Sequence, residues 1–206
     1  MQRPDNKHIK MISAIVLAAG ESKRMGKTKQ LLPFGDGTIL ETVIKNLTES
    51  KVDEIILVLG HQAEEIRESL SYTPAKTVIN PSYQEGMSSS IICGMNAVDE
   101  NADAVMIVLG DQPLIGTDVI DMLVKKYRDG DRGIVVPLYK KRRGNPVIFD
   151  IKYKDKLSAL HGDIGGREIV ASDSEDVLEV NIESEAVICD IDEEDEYLRQ
   201  LEKTRP

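Results

Sequence analysis

The sequence predicts a single α/β domain built on a mostly parallel sheet, and three observations predict it. Uninterrupted apolar runs at residues 15–17, 55–59 and 104–109 suit strands buried on both faces of a sheet. Stretches with helical apolar spacing lie between and after them, so strand and helix alternate through the first two-thirds of the chain, as a parallel sheet with helices on both faces requires. The first run opens into a loop of small residues, Ala18, Ala19 and Gly20, at the strand end where open α/β sheets receive ligands.

In chain order, residues 1–10 are polar and read as a tail, and the first strand follows. Thr38 and Glu41 have capping-box spacing, and Ile39, Leu40, Val43, Ile44 and Leu47 share one helical face, which predicts a helix over 38–50. The run 55–59 predicts the second strand, 62–71 a helix with a polar face, and 76–79 a short third strand. A loop through Pro81 and Gly86 leads to a helix starting near Ser88. After the strand at 104–109 comes a helix over 117–128, carried by Val119, Ile120, Leu123, Val124 and Tyr127. Beyond Gly133 the elements shorten. Residues 134–139, 146–149, 177–180 and 186–189 each read as strands that extend the same sheet, one of them antiparallel. Gly166 and Arg167 open a short helix, and a last helix covers 193–201.

At 206 residues the chain can bury one sizeable core. With 41% hydrophobic and 30% charged residues it is too apolar for disorder, and no apolar run reaches membrane-spanning length. The polar start lacks the apolar stretch of a signal peptide, so a cytoplasmic protein is expected. Cys93 and Cys189 have no C-x-x-C or histidine companion, which argues against a disulfide framework or a zinc site and for small core residues. A formal net charge of −10 disfavours nucleic acid and anionic membranes as partners. Residues 173–196 hold 12 acids and no Lys or Arg, so the basic clusters at 23–29 and 140–143 stand out as local anion sites or exposed turns.

The first of those clusters follows the small-residue loop. Lys23, Arg24, Lys27 and Lys29 come within ten residues of Gly20, and bare backbone beside several cations is what a polyphosphate needs. A P-loop is rejected. Five residues rather than four separate Gly20 from Gly26-Lys27-Thr28, and Pro33, Gly35 and Gly37 interrupt the helix a P-loop would need. Asp111, just past the strand 104–109, is placed to hold a metal on nucleotide phosphates or to cap the following turn. The serines at 88–90 stand at a helix start, where free amides bind anions and where serines also serve as ordinary caps. His8, His61 and His161 lack metal-ligand spacing, and no G-x-S-x-G elbow is present.

The stretch 17–33, LAAGESKRMGKTKQLLP, resembles the LAAG-x-S-x-RMG-x-x-K-x-LLP signature of the molybdenum cofactor nucleotidyltransferase family, and its LAAG is closer to the CTP-using branch than the LAGG of the GTP-using one. The resemblance implies a Rossmann-like three-layer α/β/α fold and transfer of CMP to the terminal phosphate of molybdopterin, with Mg²⁺ and release of pyrophosphate. CTP (or GTP) and the molybdenum cofactor are the implied partners, with a molybdenum hydroxylase receiving the product. Carried over by position, Arg24, Lys29 and Asp111 are the catalytic residues. Leu17, Ala18, Ala19, Gly20, Ser22, Arg24, Met25, Gly26 and Lys29 bind the nucleotide, joined by Gly86 and Ser88 of a G-M-S-x-S loop. Asp111, in GDQP, holds the metal with Asp192 of the closing DIDEEDEY, Asp190 being second choice; Glu193 and Glu194 stand where the family has Thr and Pro. Gly144 and Asn145, in GNP for GHP, and Arg167, in GD-x-GGR for GD-x-GAR, are assigned to the second substrate. A cytidylyltransferase for a sugar or polyol phosphate and a noncatalytic molybdenum cofactor-binding accessory protein are the rival readings.

Overall fold

The computed structural model describes residues 9–22, 25–70 and 73–202. In chain order its elements are β1 (Ile12–Ala18), β2 (Pro33–Phe34), β3 (Gly37–Thr38), α1 (Ile39–Thr48), β4 (Glu54–Leu59), α2 (Ala63–Ser69), β5 (Lys76–Ile79), α3 (Met87–Met95), β6 (Ala104–Leu109), α4 (Thr117–Asp129), β7 (Ile134–Tyr139), β8 (Arg142–Arg143), β9 (Val147–Asp150), α5 (Lys154–Ser158), α6 (Arg167–Ser172), β10 (Val177–Asn181) and α7 (Glu194–Glu202).

The main sheet runs β5-β4-β1-β6-β9-β7-β10, with β8 paired to β7. β1 lies at its centre, parallel to β4 on one side and to β6 on the other. β9 runs antiparallel to both β6 and β7, the reversed strand expected in the shorter second part. From β1 the chain first builds outward through β4 and β5, then returns to place β6 on β1's other side. The order therefore reverses beside β1, and the carboxyl ends of β1 and β6 border the crevice where ligands of open α/β sheets bind.

Both faces of the sheet are covered, which is why the central strands are apolar without alternation. Ala14, Val16 and Ala18 pack against α1 and α4 through Leu40, Val43, Leu47, Ile120, Leu123 and Val124. Ile15 points the other way, towards Ile91 and Met95 of α3 and Leu157 of α5. These are the three layers of an α/β/α fold. The α1 start is a full capping box: the Thr38 side chain accepts from the Glu41 N–H, and the Glu41 carboxylate accepts from the Thr38 N–H.

Two expectations are corrected. Residues 186–189 form no strand; Glu185–Ile188 is a 3-10 turn, capped by the Ser184 hydroxyl, which accepts from the Ala186 N–H at 3.2 Å. A four-residue apolar run fits a buried turn as well as a strand, so its pattern could not decide. The helix predicted over 62–71 spans only Ala63–Ser69, because Gln62 is left-handed and Leu70 is extended; Ser71 lies outside the described residues. Among the described residues no helix is long and apolar enough to cross a membrane.

Candidate active site

A cavity of about 690 Å³ opens at the carboxyl ends of β1 and β6. Leu17, Ala18, Ala19, Gly20 and Ser22 form one wall, Lys29 and Gln30 another, and the turn from Tyr83 to Met87 a third. Asp111, Asp163, Asp190 and Asp192 complete it. Small residues let these segments converge. A Cβ on Gly110 would lie 3.0 Å from both the Ala18 Cβ and the Leu17 carbonyl oxygen, and one on Gly60 would lie 2.6 Å from Tyr83 Cβ and 2.9 Å from Ala19 Cβ. At Gly20 a Cβ would meet nothing within 4 Å among the described residues, so the glycine leaves bare backbone beside open space.

The charged groups come from three distant segments. Lys29, on the 3-10 turn Lys29–Leu31, donates to Asp111 Oδ2 at 2.5 Å and to Asp192 Oδ1 at 2.8 Å. The Ile191 N–H donates to the Asp111 carbonyl at 3.1 Å, and the Ile191 side chain is buried against Phe34 and Ile39. That anchor brings Asp190 and Asp192 to Asp111. Glu196 accepts from the Asp192 and Glu193 N–H groups, and the Tyr197 hydroxyl donates to the Pro33 carbonyl at 2.7 Å, which fixes the last helix over the β2–β3 hairpin.

The electrostatics of this cluster are unbalanced. Burial pushes the Asp111 carboxyl up; Lys29 opposes this, but with Asp190 and Asp192 nearby its pKa remains above the ordinary carboxylate range. Burial lowers Lys29, and Asp111 and Asp192 more than reverse that, so the ammonium stays charged. Asp111 Oδ1 is buried and has no hydrogen-bond partner among the described residues. A buried, unpartnered carboxylate oxygen among further acids fits a hard divalent cation, which takes oxygen donors. Among the described residues no group of three or more His, Cys, Asp or Glu is arranged to hold a metal. Two carboxylates can suffice for Mg²⁺, which completes its shell with water and substrate phosphates.

Of the residues singled out from the sequence, Leu17, Ala18, Ala19, Gly20, Ser22, Lys29, Gly86, Asp111 and Asp192 line this one cavity. Arg24, like Lys23, lies outside the described residues. Met25 and Gly26 do not line it: Met25 packs on the cluster of Phe34, Ile39 and Ile191, and Gly26 closes a turn onto the Ser22 carbonyl at φ +60°. Ser88 is corrected too. It is buried, and its N–H donates to the Gly162 carbonyl at 3.1 Å while the Met87 N–H donates to Asp163 Oδ1 at 3.1 Å, so the amides expected to be free at this helix start are taken. Ser89 and Ser90 accept from the Asn80 carboxamide.

Gly144, Asn145 and Arg167 also lie outside the cavity lining. The Asn145 N–H donates to the Val187 carbonyl at 2.8 Å, and a Cβ on Gly144 would collide with that oxygen, so this segment packs on the turn at Glu185–Ile188. Because Val147 pairs with Ile107 in an antiparallel register, Asn145 still emerges at the edge of the sheet that carries Asp111. Arg167 begins α6. Sequence reasoning missed Gln30, Tyr83, Gln84 and Glu85. The first stands between Lys29 and Leu31 in a polar stretch that gives no sign of its burial; the others follow a proline in an ordinary polar loop.

A mostly parallel sheet whose order reverses beside a bare-backbone loop, with a lysine bonded to two aspartates in the crevice, is the kind of site that nucleotidyltransferases need. Residues 14–177 match the family described as MobA-like NTP transferase domain. The chain is 30% identical over 193 residues to the molybdenum cofactor cytidylyltransferase of Escherichia coli K12, covering 93% of this chain and 96% of that protein. It is 28% identical to the nicotine blue oxidoreductase of Paenarthrobacter nicotinovorans, covering 76% and 79%. The crystal structure of Rv0371c from Mycobacterium tuberculosis H37Rv superposes with a TM-score of 0.86 at 30% identity, covering 94% and 98%; a manganese complex of Rv0371C gives 0.81 at 28%, with the same coverage. The chain belongs to the MobA-like NTP transferase domain family.

Proposed function

We propose that the protein transfers CMP from CTP to the terminal phosphate of molybdopterin and releases pyrophosphate. The observation that carries this reading is the convergence of Lys29, Asp111 and Asp192 on the cavity beside the bare loop at Ala18–Gly20. The full-length similarity to the Escherichia coli enzyme supports molybdopterin as acceptor, and the LAAG of the loop supports CTP.

A terminal phosphate monoester is largely dianionic at pH 7, its second pKa being about 6, so it can attack without a general base. The tasks left to the protein are positioning and charge stabilisation. In this reading the backbone of Ala18, Ala19 and Gly20 lies along the triphosphate, and the Lys29 ammonium bears on its developing negative charge. Tyr83, Gln84 and Glu85, on the third wall, frame the base. Asp111 and Asp192 would hold Mg²⁺, which supplies Lewis-acid neutralisation of the phosphates when bound. Asn145, at the same sheet edge but outside the nucleotide cavity, is on the side left for the acceptor.

The test is a pyrophosphate-release assay with Mg²⁺, molybdenum cofactor and each of the four nucleoside triphosphates in turn. Release that requires both CTP and the cofactor is expected. Release with a sugar or polyol phosphate instead reassigns the acceptor. Cofactor binding with no pyrophosphate from any nucleotide, or redox turnover in its place, overturns the reading.

A further inference from the structure

Gln30 is 2% exposed, yet it is polar at both ends of its amide and uses both. Its Nε2 donates to the Ala18 carbonyl at 3.3 Å and to the Gly20 carbonyl at 3.4 Å, and its Oε1 accepts from the Ser22 hydroxyl at 3.4 Å. One side chain thereby grips three of the five residues that follow Leu17 in the cavity wall. The intervening carbonyl, that of Ala19, is held separately by the His61 N–H at 3.1 Å.

Those bonds set the direction of the peptides. In a planar trans peptide the N–H points opposite to the C=O, so drawing the Ala18 and Gly20 oxygens to Gln30 turns the Ala19 and Glu21 amide hydrogens away from it. Alternate amides presented on one side of a loop make an anion cradle. A glutamate here has no donor for the two carbonyls, and an apolar residue leaves them unsatisfied; only a carboxamide of this length meets both carbonyls and the hydroxyl.

We propose that Gln30 is a positioning residue for polyphosphate binding: from its buried place beside the loop in the cavity wall it orients the peptides at Ala18 and Gly20 so that their amides meet the phosphates. This deepens the nucleotidyltransferase reading above and rests on it. The lysine next to it in sequence supplies charge from within the cavity, whereas Gln30 acts only through the backbone.

The experiment uses inorganic triphosphate as the probe, with CTP and cytidine beside it, in calorimetric titrations of the wild type and of Gln30→Met and Gln30→Glu. Triphosphate and CTP should bind at least tenfold more weakly to both variants, with cytidine binding unchanged and KM for CTP rising far more than kcat falls. In the wild type, amide NMR resonances of Ala19 and Glu21 should shift downfield on adding triphosphate, a readout that holds even if a variant misfolds. A folded Gln30→Met that binds triphosphate as the wild type does, or triphosphate shifts that avoid both amides, would overturn the proposal. A wild type that binds triphosphate through these amides but never releases pyrophosphate would instead overturn the reading of the reaction and leave the role of Gln30 standing.

Discussion

Lys29 and Asp111, 82 residues apart in the chain, meet at 2.5 Å, and the same ammonium reaches Asp192 at 2.8 Å. One lysine thus bridges the two carboxylates that fit a divalent cation and offsets one of their two charges. Replacing it should have opposite effects on the two ligands of the site. Lys29→Met should bind Mn²⁺ about tenfold more tightly without nucleotide, because the carboxylates lose their competing cation, and should bind CTP more weakly. Mn²⁺ electron paramagnetic resonance and CTP calorimetry on the same samples check this. Equal Mn²⁺ affinity in variant and wild type would contradict it.

Asp111 carries an oxygen with no partner among the described residues and a charge that its burial disfavours. Function and stability should therefore separate at this residue. Asp111→Asn should lower turnover by about 10³-fold, the scale of losing one charge-stabilising group, while leaving the melting temperature equal or slightly higher. A fall of ten degrees or more would make Asp111 a fold residue.

Away from the cavity, Asp176 contributes to acid sensitivity. Burial pushes its carboxyl up, but the Lys152 ammonium, the Tyr153 hydroxyl and the Gly133 N–H together outweigh that and hold it at about 2. The folded value is below the unfolded one, about 3.9 for Asp, so its stabilisation is present above pH 4 and is lost as pH falls towards 2. With the side chain 27% exposed, the loss should be about 1–2 kcal/mol after allowance for solvent screening. Urea unfolding at pH 7, 4 and 2.5 should show Asp176→Asn less stable at neutral pH and converging on the wild type at the lowest.

Gly94 decides how closely α3 approaches β1. A Cβ there would lie 2.3 Å from Ile15 Cγ2, inside a fully buried contact. Alanine gains about 1 kcal/mol in helix propensity, and overpacking costs about 1–3 kcal/mol. At this separation the clash should win, so Gly94→Ala should destabilise by about 1–2 kcal/mol in denaturant titrations. Ile15→Leu removes the offending methyl, and the double variant should recover part of the loss.

Much of this was legible in the sequence because it is local. The strand and bare loop at 12–20, the capping box of Thr38 and Glu41, and Asp111 beyond a buried strand each declare themselves through neighbouring residues. What stayed hidden depends on distant closure. Nothing near Ser88 says that its amide will be taken by Gly162, and nothing near Gln30 says that its amide will fold back over Ala18 and Gly20. The run at 186–189 is apolar enough for a strand, and only a capping serine made it a turn.

The bond from the Ile191 N–H to the Asp111 carbonyl has a bearing on how the second acid is held. Every strand of the sheet is complete by Asn181, yet Asp192 lies beyond it and is drawn in by Ile191. The second acid is thus held by a backbone bond and an apolar anchor, so its placement does not depend on its own charge.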